Sequence, residues 1–497
     1  LVECPPLARV TSIEAQEVPP RADKGFHIQA SALTGDATVE ALPDAAICAD
    51  CRREILDPQD RRFRYPFTNC THCGPRFSIL LGLPYDRSRT TMRDFPLCPT
   101  CRSEYEDPFD RRFHAQPVAC PLCGPKLSLW DAQGHVLQKR DAALVAAVAA
   151  VLEGRILALK GLGGFQLVCD AGNGDAIARL RAAKRREEKP FAVMVADIPS
   201  ARALCKVDAM EEDLLTSPAA PIVLLSRQGD PSPLVHPNVA PGNPNLGLFL
   251  PTTPLHVLLL EGVGRPLVAT SGNLTDEPIA TDENEALRRL GGVADRFLTH
   301  DRPIARAVDD SLARVMGGRP MVLRRARGYA PRPILLPGMG EGPAILAVGA
   351  HLKNAVTFLD RDRAMVGQHI GDLETPLSLE AFRRSVADLP GLYGVEVGKV
   401  ACDLHPDYAS TRAAESMGRP VVRVQHHAAH LAACAAENGV TGEALGVSWD
   451  GTGWGPDGTV WGGEFFVGRG AVWRTRAHLR RFPLPGGEAA VKEPRRA

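Results

Sequence analysis

The stretch that decides the fold reads CADCRREILDPQDRRFRYPFTNCTHC at residues 48–73, and it returns fifty positions later as CPTCRSEYEDPFDRRFHAQPVACPLC at residues 98–123. Between residues 48–80 and the shifted copy, 15 of 33 positions are identical. Two cysteines separated by two residues can hold one side of a metal ion, and a second such pair completes a tetrahedron of thiolates. The repeat therefore predicts two structural zinc sites, one formed by Cys48, Cys51, Cys70 and Cys73 and the other by Cys98, Cys101, Cys120 and Cys123.

Cysteines in such numbers also occur in iron–sulfur proteins, disulfide frameworks and DNA-binding fingers, but the pattern favours none of these. Iron–sulfur proteins usually crowd three or four cysteines into a short run. Disulfide frameworks are typical of secreted scaffolds, and no signal-like apolar segment opens this sequence. A DNA-binding finger needs a basic recognition helix, which the repeat does not show. Because a site of four thiolates is coordinatively closed, we expect it to support structure rather than catalysis.

Composition narrows the class of protein. A chain of 497 residues is long enough for about three domains, each with its own core. Its formal net charge is zero, so no bulk field attracts nucleic acid or an anionic membrane, and no DNA partner is expected. No run of about 18 apolar residues predicts a membrane span. The thirteen cysteines favour a reducing, cytoplasmic location, and a chain that runs from Leu1 to Ala497 without a closing element favours a piece of a longer polypeptide.

Four segments follow from the pattern of strands, helices and linkers. Residues 1–40 resemble the end of an upstream domain followed by a linker, and the zinc repeat occupies about 45–130. Residues 140–330 alternate strands and helices, which predicts a compact α/β domain with a mixed sheet. This domain opens with a helix from Asp141 to Glu153, capped by Asp141, and its nearly all-apolar surface predicts that the helix is buried between layers. A third α/β unit covers 343–497 and ends in a hairpin-like segment at 459–467.

The middle segment carries the densest cluster of cations, Lys184-Arg-Arg186-Glu-Glu-Lys189-Pro. At a helix end that leads into a strand, such cations can hold phosphate and offset its charge during phosphoryl or nucleotidyl transfer. The alternative is that these cations simply form a helix end exposed to solvent. Other candidate binding groups lie at strand ends, where α/β sheets often bind ligands: Lys160 and Gly163 of a glycine loop, Ser271-Gly272-Asn273, and Arg302 and Arg306 of an ionisable loop.

The third segment carries two further candidate motifs. His426 and His430 are four residues apart, so on a helix they share a face and can chelate one metal ion, although this spacing is also common at polar helix starts. Asp450 then heads a glycine-rich turn with Gly451 and Gly453, which can approach phosphate closely. Asp450 can orient Mg²⁺ or a catalytic water, or it can simply cap the turn.

The combination of the Lys-x-Arg-x-x-Lys-Pro motif with Ser271-Gly272-Asn273 and the His-Asp-Arg-Pro-Ile segment at 300–304 resembles the YrdC-like domains that form carbamoyl adenylate. Preceded by two four-cysteine knuckles, it resembles the HypF family of [NiFe]-hydrogenase maturation carbamoyltransferases, over about the whole chain. That resemblance implies ATP and carbamoyl phosphate as substrates. The implied roles are phosphate binding for Lys184, Arg186 and Lys189, nucleotide binding for Ser271 and Asn273, and contact with the carbamoyl or carboxylate end for Arg302 or Arg306.

The third segment is similar to the actin/hexokinase-type fold that HypF shares with TsaD-like threonylcarbamoyl transferases. The resemblance implies a metal at His426 and His430, a first nucleotide loop that contains Lys353 and Asn354, and a further metal ligand and second lobe beyond Ala497. It also identifies residues 1–40 as the end of an acylphosphatase-like domain. The implied acceptor is a cysteine thiolate at the C-terminus of HypE, and the implied cofactors are two structural Zn²⁺, Mg²⁺ with ATP, and the further metal.

We therefore expect a multidomain α/β protein that joins a zinc-knuckle pair, a YrdC-like domain with a mixed sheet and a partial actin/hexokinase-type domain. Two other functions remain open at this point. One is an enzyme of tRNA threonylcarbamoyladenosine synthesis, which shares both folds but does not account for the zinc pair. The other is a zinc-dependent protein that binds nucleic acid such as double-stranded RNA, which the neutral charge does not favour.

Overall fold

The structure is a computed structural model that describes residues 13–17, 19, 40–229, 232–275, 277–340, 342–487, 489–490, 493 and 495. It divides into two compact units. The first contains residues 1–333 and 365–395, and the second contains residues 334–364 and 396–497. The end of an acylphosphatase-like domain, expected within residues 1–40, lies almost entirely outside the described residues.

The helices have the following bounds: α1 Ala49–Leu56, α2 Pro99–Glu106, α3 Arg140–Leu152, α4 Gly174–Ala183, α5 Ile198–Leu204, α6 Ala209–Thr216, α7 Pro254–Val263, α8 Glu283–Leu290, α9 Pro376–Tyr393, α10 Ala409–Ser416 and α11 His426–Glu437. The strands are β1 Leu127–Asp131, β2 Val136–Lys139, β3 Leu157–Lys160, β4 Phe165–Asp170, β5 Ala192–Met194, β6 Ile222–Ser226, β7 Asn245–Phe249, β8 Leu267–Ser271, β9 Arg296–His300, β10 Leu312–Met316, β11 Arg319–Arg324, β12 Pro333–Leu335, β13 Ile345–Ala347, β14 Thr357–Asp360, β15 Arg363–Val366, β16 Lys399–Asp403, β17 Val421–Val424, β18 Ala444–Ser448, β19 Gly453–Trp454, β20 Val460–Trp461, β21 Glu464–Arg469 and β22 Val472–His478.

The first unit is built on a mixed sheet of eleven described strands in the order β11-β10-β6-β7-β5-β8-β4-β3-β9-β1-β2. Parallel and antiparallel pairs both occur along it: β9 is parallel to β3 but antiparallel to β1. The β1–β2 hairpin directly follows the last cysteine of the repeat and extends the sheet at one edge. The predicted α/β class and mixed sheet are therefore confirmed, and the second zinc knuckle runs into the sheet without a linker.

The zinc repeat and the sheet share one hydrophobic core. Ile55, Phe67 and Met92 of the repeat belong to the same buried cluster as Leu144 of α3 and Leu258 of α7. Backbone hydrogen bonds reinforce this contact, among them that from Ile47 N to Thr252 O at 3.1 Å. A single core implies that the knuckles and the α/β sheet fold as one body.

Helix α3 differs from the expectation in two respects. It begins at Arg140, and its cap residue, Lys139, makes no side-chain cap hydrogen bond. Asp141 does not cap the helix; its carboxylate accepts a hydrogen bond from Arg64 Nε at 2.8 Å. One face of the helix is also exposed, since Val145 keeps 54% of its accessible surface. An apolar composition therefore did not require burial on all sides.

The second unit contains strands β14, β13, β16 and β17 side by side, with β13 antiparallel to β14 and parallel to β16. A separate antiparallel sheet has the order β18-β21-β22. The predicted hairpin at 459–467 is wrong, because β20 pairs with β19 whereas β21 pairs with β18 and β22. Among the residues that the structure describes, no helix is both long and apolar enough to cross a bilayer.

The shared core gives a first test. Phe297 is fully buried on β9, whereas Phe109 is 99% exposed. Because truncating a buried phenylalanine removes apolar burial and leaves a cavity, we expect Phe297→Ala to lower the free energy of unfolding by about 3–5 kcal/mol. The same change at Phe109 should alter it by less than about 0.5 kcal/mol. Denaturant unfolding followed by circular dichroism measures both, and equal effects of the two substitutions would contradict the assigned core.

Candidate functional site

Each half of the cysteine repeat forms a compact cluster of four thiols. In the first cluster Cys70 Sγ lies 3.7 Å from Cys48 Sγ and 3.9 Å from Cys73 Sγ. In the second, Cys120 Sγ lies 3.7 Å from both Cys98 Sγ and Cys123 Sγ. A tetrahedral zinc ion with Zn–S bonds of about 2.3 Å separates its sulfurs by about 3.8 Å, whereas a disulfide requires about 2 Å. The donor sets therefore fit two structural zinc ions, as predicted.

Local structure accounts for the convergence of the ligands. Cys48 and Cys98 precede the first turns of α1 and α2, and Cys51 and Cys101 lie within those helices. The second pair of each site sits in a tight turn that ends in Cys-Gly-Pro. At Gly74 this turn adopts φ of +97°, and a Cβ there would lie 2.7 Å from Asn69 Cβ. Glycine is thus required both by the backbone conformation and by the space.

The two zinc sites are linked by arginines that cross from one repeat to the other. Arg61 of the first repeat donates to Cys101 Sγ of the second at 3.2 Å and to Glu104 Oε1 at 2.6 Å. Arg111, its counterpart fifty positions on, donates to Cys51 Sγ of the first repeat at 3.2 Å and pairs with Glu54. Each repeat therefore supplies a cationic hydrogen-bond donor to a thiol of the other.

Arg62 and Arg112, which directly follow these two arginines, also contact the opposite repeat. Arg62 pairs with Glu104 and donates from Nε to Ala119 O at 3.0 Å, and Arg112 pairs with Glu54 and donates to Asn69 O at 3.1 Å. Burial opposes ionisation of Glu54, but the hydrogen bonds and charges of its two arginines outweigh it and lower its pKa. The repeated Asp-Arg-Arg motif was visible in the sequence, yet only the three-dimensional pairing reveals this exchange.

The candidate phosphate site brings together three of the predicted residues. Lys184 is 3% exposed, and its Nζ donates to Ser271 O at 2.7 Å and to Asn273 O and Oδ1 at 2.6 and 3.0 Å. Its acceptors are carbonyl oxygens rather than carboxylates. Burial, followed by the nearby charge of Arg186, lowers the pKa of Lys184 to about 7. An incoming anion would favour the charged amine.

The rest of the cationic motif forms the adjoining loop. Arg186 donates to Thr270 Oγ1 at 3.2 Å and to Lys189 O at 3.0 Å, and its guanidinium lies 4.8 Å from the ring centre of Phe191. Burial lowers the pKa of Arg186 to about 10. Lys189 is exposed on the same loop. The motif therefore contains one buried amine, one half-buried guanidinium and one exposed amine.

Two of the predicted glycines, Gly163 and Gly272, lie where neighbouring atoms leave no room for a side chain. A Cβ at Gly163 would lie 2.5 Å from Val308 O, and one at Gly272 would lie 2.6 Å from Phe165 O. Lys160, at the start of the glycine loop, is buried and pairs with Glu283. Its Nζ also donates to the carbonyls of His300 and Arg302 at 3.0 Å each. Lys160 thus already has a carboxylate partner, whereas Lys184 has none among the residues that the structure describes.

Arg302 and Arg306, the two candidates for a carboxylate end, have different surroundings. Arg306 donates to Asp388 Oδ1 at 2.6 Å and to the carbonyl of Leu80, so its charge is compensated. Arg302 is 3% exposed, and within the described residues its guanidinium has no ion-pair partner. Its Nε is a buried donor without an acceptor. Burial lowers the pKa of Arg302 to about 10.

In the second unit, His426, His430 and Asp450 form a cluster with metal-binding geometry. His426 Nε2 lies 2.9 Å from Asp450 Oδ2 and 3.2 Å from His430 Nε2, and Asp450 Oδ2 lies 3.4 Å from His430 Nε2. The hydrogen bond of Asp403, followed by that of Asp450, raises the pKa of His426 to about 9. The histidines start α11, and Asp450 follows β18, so sequence spacing did not show that the two motifs meet.

Two residues near this cluster were missed by the sequence analysis. Asp403 Oδ2 accepts from His426 Nδ1 at 2.6 Å, which leaves Nε2 directed at the cluster. His427 is fully buried, and its Nδ1 lies 2.7 Å from Glu464 Oε2. A Cβ at Gly453 would lie 2.5 Å from His427, so the glycine turn packs directly on this ring. Asp403 and Glu464 are more than twenty residues from the histidines, and no local pattern marks them.

The remaining predicted residues lie on turns. Gly451 is exposed beside Asp450. Asn354 is buried, and its Nδ2 donates to Val348 O at 2.8 Å and to Ala350 O at 2.6 Å, which closes the loop that contains Lys353. Lys353 is exposed and has φ of +48°. The Asn354 amide therefore holds the shape of this loop.

The arginines that donate to a thiol of the opposite repeat give a second test. Arg61→Ala removes a cationic donor from a thiol of the second zinc site, so we expect that site to lose zinc affinity by about 10- to 100-fold. Zinc transfer to a colorimetric chelator should then become biphasic, with one of two equivalents released early. Arg53 is a matched control in the same repeat, because it is exposed and its ion-pair partner among the described residues is Asp50. If zinc is released in the same way from Arg61→Ala and Arg53→Ala, the hydrogen bond between the repeats does not support zinc binding.

Comparisons with known proteins agree with this arrangement. The family model described as "HypF finger" matches residues 47–80 and 97–130, and "HypF Kae1-like domain" matches residues 340–437. A YrdC-type model, described as "Telomere recombination", matches residues 149–326. "Carbamoyltransferase, Kae1-like Domain, second subdomain" matches residues 446–497. The matches follow the chain in the predicted order of modules.

The chain is 47% identical to a Synechocystis protein named carbamoyltransferase HypF, over 99% of this chain and 64% of that protein. It is 48% identical to the Rhodobacter capsulatus protein of that name, over 99% of this chain and 66% of the relative. It therefore spans somewhat less than two thirds of the length of such relatives.

Solved structures show the same likeness. A full-length HypF in the phosphate- and nucleotide-bound form superposes with a TM-score of 0.87 at 44% identity, over 91% of this chain and 59% of that one. HypF from T. kodakarensis superposes with a TM-score of 0.88 at 40% identity, over 98% and 62%. With its zinc-finger pair, YrdC-like domain and Kae1-like domains, the chain belongs to the HypF family.

Proposed function

We propose that this chain contributes the activating and transferring steps of an ATP-dependent carbamoyltransferase. Carbamate derived from carbamoyl phosphate is joined to ATP as carbamoyl adenylate, and the carbamoyl group then passes to the C-terminal cysteine of HypE for the cyanide ligands of [NiFe]-hydrogenase. The observation that carries this proposal is Lys184, a buried amine held by Ser271 and Asn273, whose acceptors within the described residues are all carbonyl oxygens. The name carbamoyltransferase on relatives of 47% and 48% identity supports the reaction class.

The first step needs positive charge at the phosphates. A carboxylate oxygen of carbamate attacks the α-phosphorus of ATP, the bond to the β-phosphate oxygen breaks, and pyrophosphate leaves. Lys184 and Arg186, with the exposed Lys189, would offset the phosphate charge, and Mg²⁺ accompanies ATP as its counterion. Ser271 and Asn273 would hold the nucleotide beside the Gly163 and Gly272 backbone. The solved relative in the phosphate- and nucleotide-bound form supports a phosphate site in the family.

The ion pairs of the first unit support a choice between Arg302 and Arg306 for the carboxylate end of carbamate. Arg306 is compensated by Asp388, and Lys160 by Glu283. Arg302 has no such partner among the described residues, and a buried guanidinium matches a carboxylate with two parallel hydrogen bonds. We therefore assign the carboxylate end of carbamate to Arg302 rather than to Arg306.

The second unit would carry out the transfer. A cysteine thiolate of the acceptor attacks the carbamoyl carbon, the bond to the adenylate oxygen breaks, and AMP leaves with the electron pair. His426, His430 and Asp450 would hold a metal ion, which supplies a positive charge for phosphate or carbonyl oxygen when bound. Asp403 fixes the His426 ring, and the loop of Lys353 and Asn354 with the turn of Gly451 and Gly453 would contact the nucleotide. The two clusters of four free cysteines support a reducing, cytoplasmic location.

The nucleotide site gives a third test. We expect Lys184→Ala to weaken ATP binding about 10- to 100-fold, because a charged hydrogen-bond donor to phosphate is lost. Isothermal titration of ATP with Mg²⁺ measures this affinity, after circular dichroism has shown that the variant is folded. Lys206 is an exposed lysine of the same domain, so Lys206→Ala is the control. ATP affinity unchanged by Lys184→Ala would exclude the assigned phosphate site.

The metal cluster gives a fourth test. With both zinc knuckles loaded, we expect wild-type protein to bind one further equivalent of Zn²⁺ in isothermal titration. Asp403→Asn should weaken that equivalent about 10- to 100-fold, since residues behind a metal ligand orient it. Asp407→Asn is the matched control, because that carboxylate pairs with Arg412 on the surface. Equal affinity in both variants would argue against a site oriented by Asp403.

Substrate choice separates this function from threonylcarbamoyladenosine synthesis. With ATP and Mg²⁺, pyrophosphate release should require carbamoyl phosphate or carbamate supplied directly. Threonine with bicarbonate should not replace them. The reverse preference would assign the chain to tRNA modification. Salt-sensitive binding of double-stranded RNA with no ATP turnover would favour the nucleic-acid-binding alternative.

A further inference from the structure

The cationic loop at residues 184–190 begins where helix α4 ends. The backbone N of Arg185 donates to Ala182 O at 3.1 Å, and the backbone N of the next residue donates to Arg181 O at 3.0 Å. These two hydrogen bonds form a Schellman ending, in which the residue after the helix cap takes a left-handed conformation. That residue is Arg185, with φ of +48°. Because this conformation favours glycine and strains an arginine, other contacts must hold the loop in place.

The side chain of Arg181 supplies such contacts. It projects from the last turn of α4, and its Nη1 donates to three backbone carbonyls of the loop: Arg186 O at 2.8 Å, Glu187 O at 3.1 Å and Lys189 O at 3.3 Å. The Arg186 side chain also donates to Lys189 O, from Nε at 3.0 Å. Two guanidinium groups therefore hold the carbonyl of the residue that carries the exposed amine of the motif.

The other nitrogens of Arg181 bind a separate, buried segment. Nε donates to Asn238 O at 2.6 Å and Nη2 donates to Val239 O at 3.1 Å. Both acceptors belong to the 3₁₀ helix Pro237–Val239, and Val239 O also accepts from the backbone N of Phe191 at 2.9 Å. Val239 is fully buried, so this segment is anchored in the core. A planar guanidinium can join the two segments, whereas the ammonium of lysine offers a single point of contact.

The end of α4 thus gathers positive charge around one aromatic ring. The guanidinium groups of Arg181 and Arg186 lie 4.7 and 4.8 Å from the ring centre of Phe191. Within the described residues, the acceptors of Arg181 are backbone carbonyls, and no carboxylate forms an ion pair with either arginine. The aromatic ring offsets part of the repulsion between the two cations. Since the nitrogens of Arg181 are engaged with the backbone, it acts on a ligand through the loop rather than by direct contact.

We propose that Arg181 is a positioning residue, which fixes the backbone of residues 186–189 so that the side chains of Arg186 and Lys189 face the same anion as Lys184. That this anion is the phosphate of ATP rests on the proposed function. The order that Arg181 gives to the loop rests on its hydrogen bonds alone.

Hydrogen–deuterium exchange, followed by mass spectrometry on the whole zinc-loaded chain without nucleotide, tests the order of the loop. We expect Arg181→Met to raise amide exchange in residues 184–190 at least about tenfold and to leave the first turn of α4 unchanged, because the loop loses its links to the core. Arg179→Met is the matched control, since Arg179 lies on the same helix but donates to Gly154 O and pairs with Asp295. Loop exchange unchanged by Arg181→Met would overturn the proposal.

ATP titration in the presence of Mg²⁺ tests what the ordered loop does. Arg181→Met should raise the Kd about tenfold. Arg181→Lys keeps the charge but loses the planar fork, so its Kd should stay within about threefold of that of Arg181→Met. Arg179→Met should bind ATP as the wild type does. Full recovery of affinity in Arg181→Lys would show that charge alone matters, which would overturn the positioning role.

A double substitution separates positioning from general support of the fold. If Arg181 acts through the loop, its effect must depend on the cations that the loop presents. The rise in Kd caused by Arg181→Met should therefore be at least about threefold smaller in a Lys189→Ala protein than in the wild type. Two losses that simply multiply would mark Arg181 as a structural residue and would overturn the proposal.

The two measurements keep this inference separate from the proposed function. If the wild-type protein binds no ATP while Arg181→Met still loosens the loop, the phosphate site of the proposed function fails and the positioning of the loop stands. If ATP binds to the wild type while Arg181→Met leaves the loop exchange unchanged, the phosphate site stands and the positioning role is rejected.

Discussion

The hydrogen bonds that Arg61 and Arg111 donate across the repeat are the interaction on which the first unit depends. A zinc ion held by four thiolates carries a net charge of about −2, and burying that charge requires compensating donors. Each repeat places its arginine on a thiol of the other, at 3.2 Å in both directions. The two repeats therefore form one body, in which each supports the zinc site of the other, rather than two independent fingers.

That body is tied to the rest of the fold at two points. Cys123 is followed almost directly by β1, which pairs with β9 and so adds the repeat to the large sheet. The side chains of Ile55 and Phe67 enter the same core as α3 and α7. Loss of either zinc ion would disturb the position of β9 and of His300 and Arg302 at its end, which links a closed structural metal site to the candidate chemistry.

Much of the fold and of the candidate site was predictable, because the signals were local. Two cysteine pairs in each copy predicted the zinc geometry, and alternation of strands and helices predicted the mixed sheet. Contacts between residues that lie far apart in the sequence were not predictable. Asp141 has the chemistry of a helix cap but pairs with Arg64 instead, and β20 and β21 pair with different strands although they are adjacent. Asp403 reaches His426 only through the fold.

The buried cations of the first unit differ in the groups that they contact. Lys160 and Arg306 pair with Glu283 and Asp388, whereas in the described part of the chain Lys184 donates to carbonyl oxygens and Arg302 lies against an aromatic ring. We propose that the second pair binds anions: phosphate at Lys184 and carboxylate at Arg302 would be the two reactants of an adenylation.

The central claim is that these reactants are joined on this chain. Its most direct test is to incubate the zinc-loaded protein with ATP, Mg²⁺ and carbamate, quench, and analyse the small molecules by mass spectrometry. The account predicts carbamoyl adenylate in amounts equal to the pyrophosphate released. Hydrolysis of ATP to ADP and phosphate, with no adenylate formed, would contradict it.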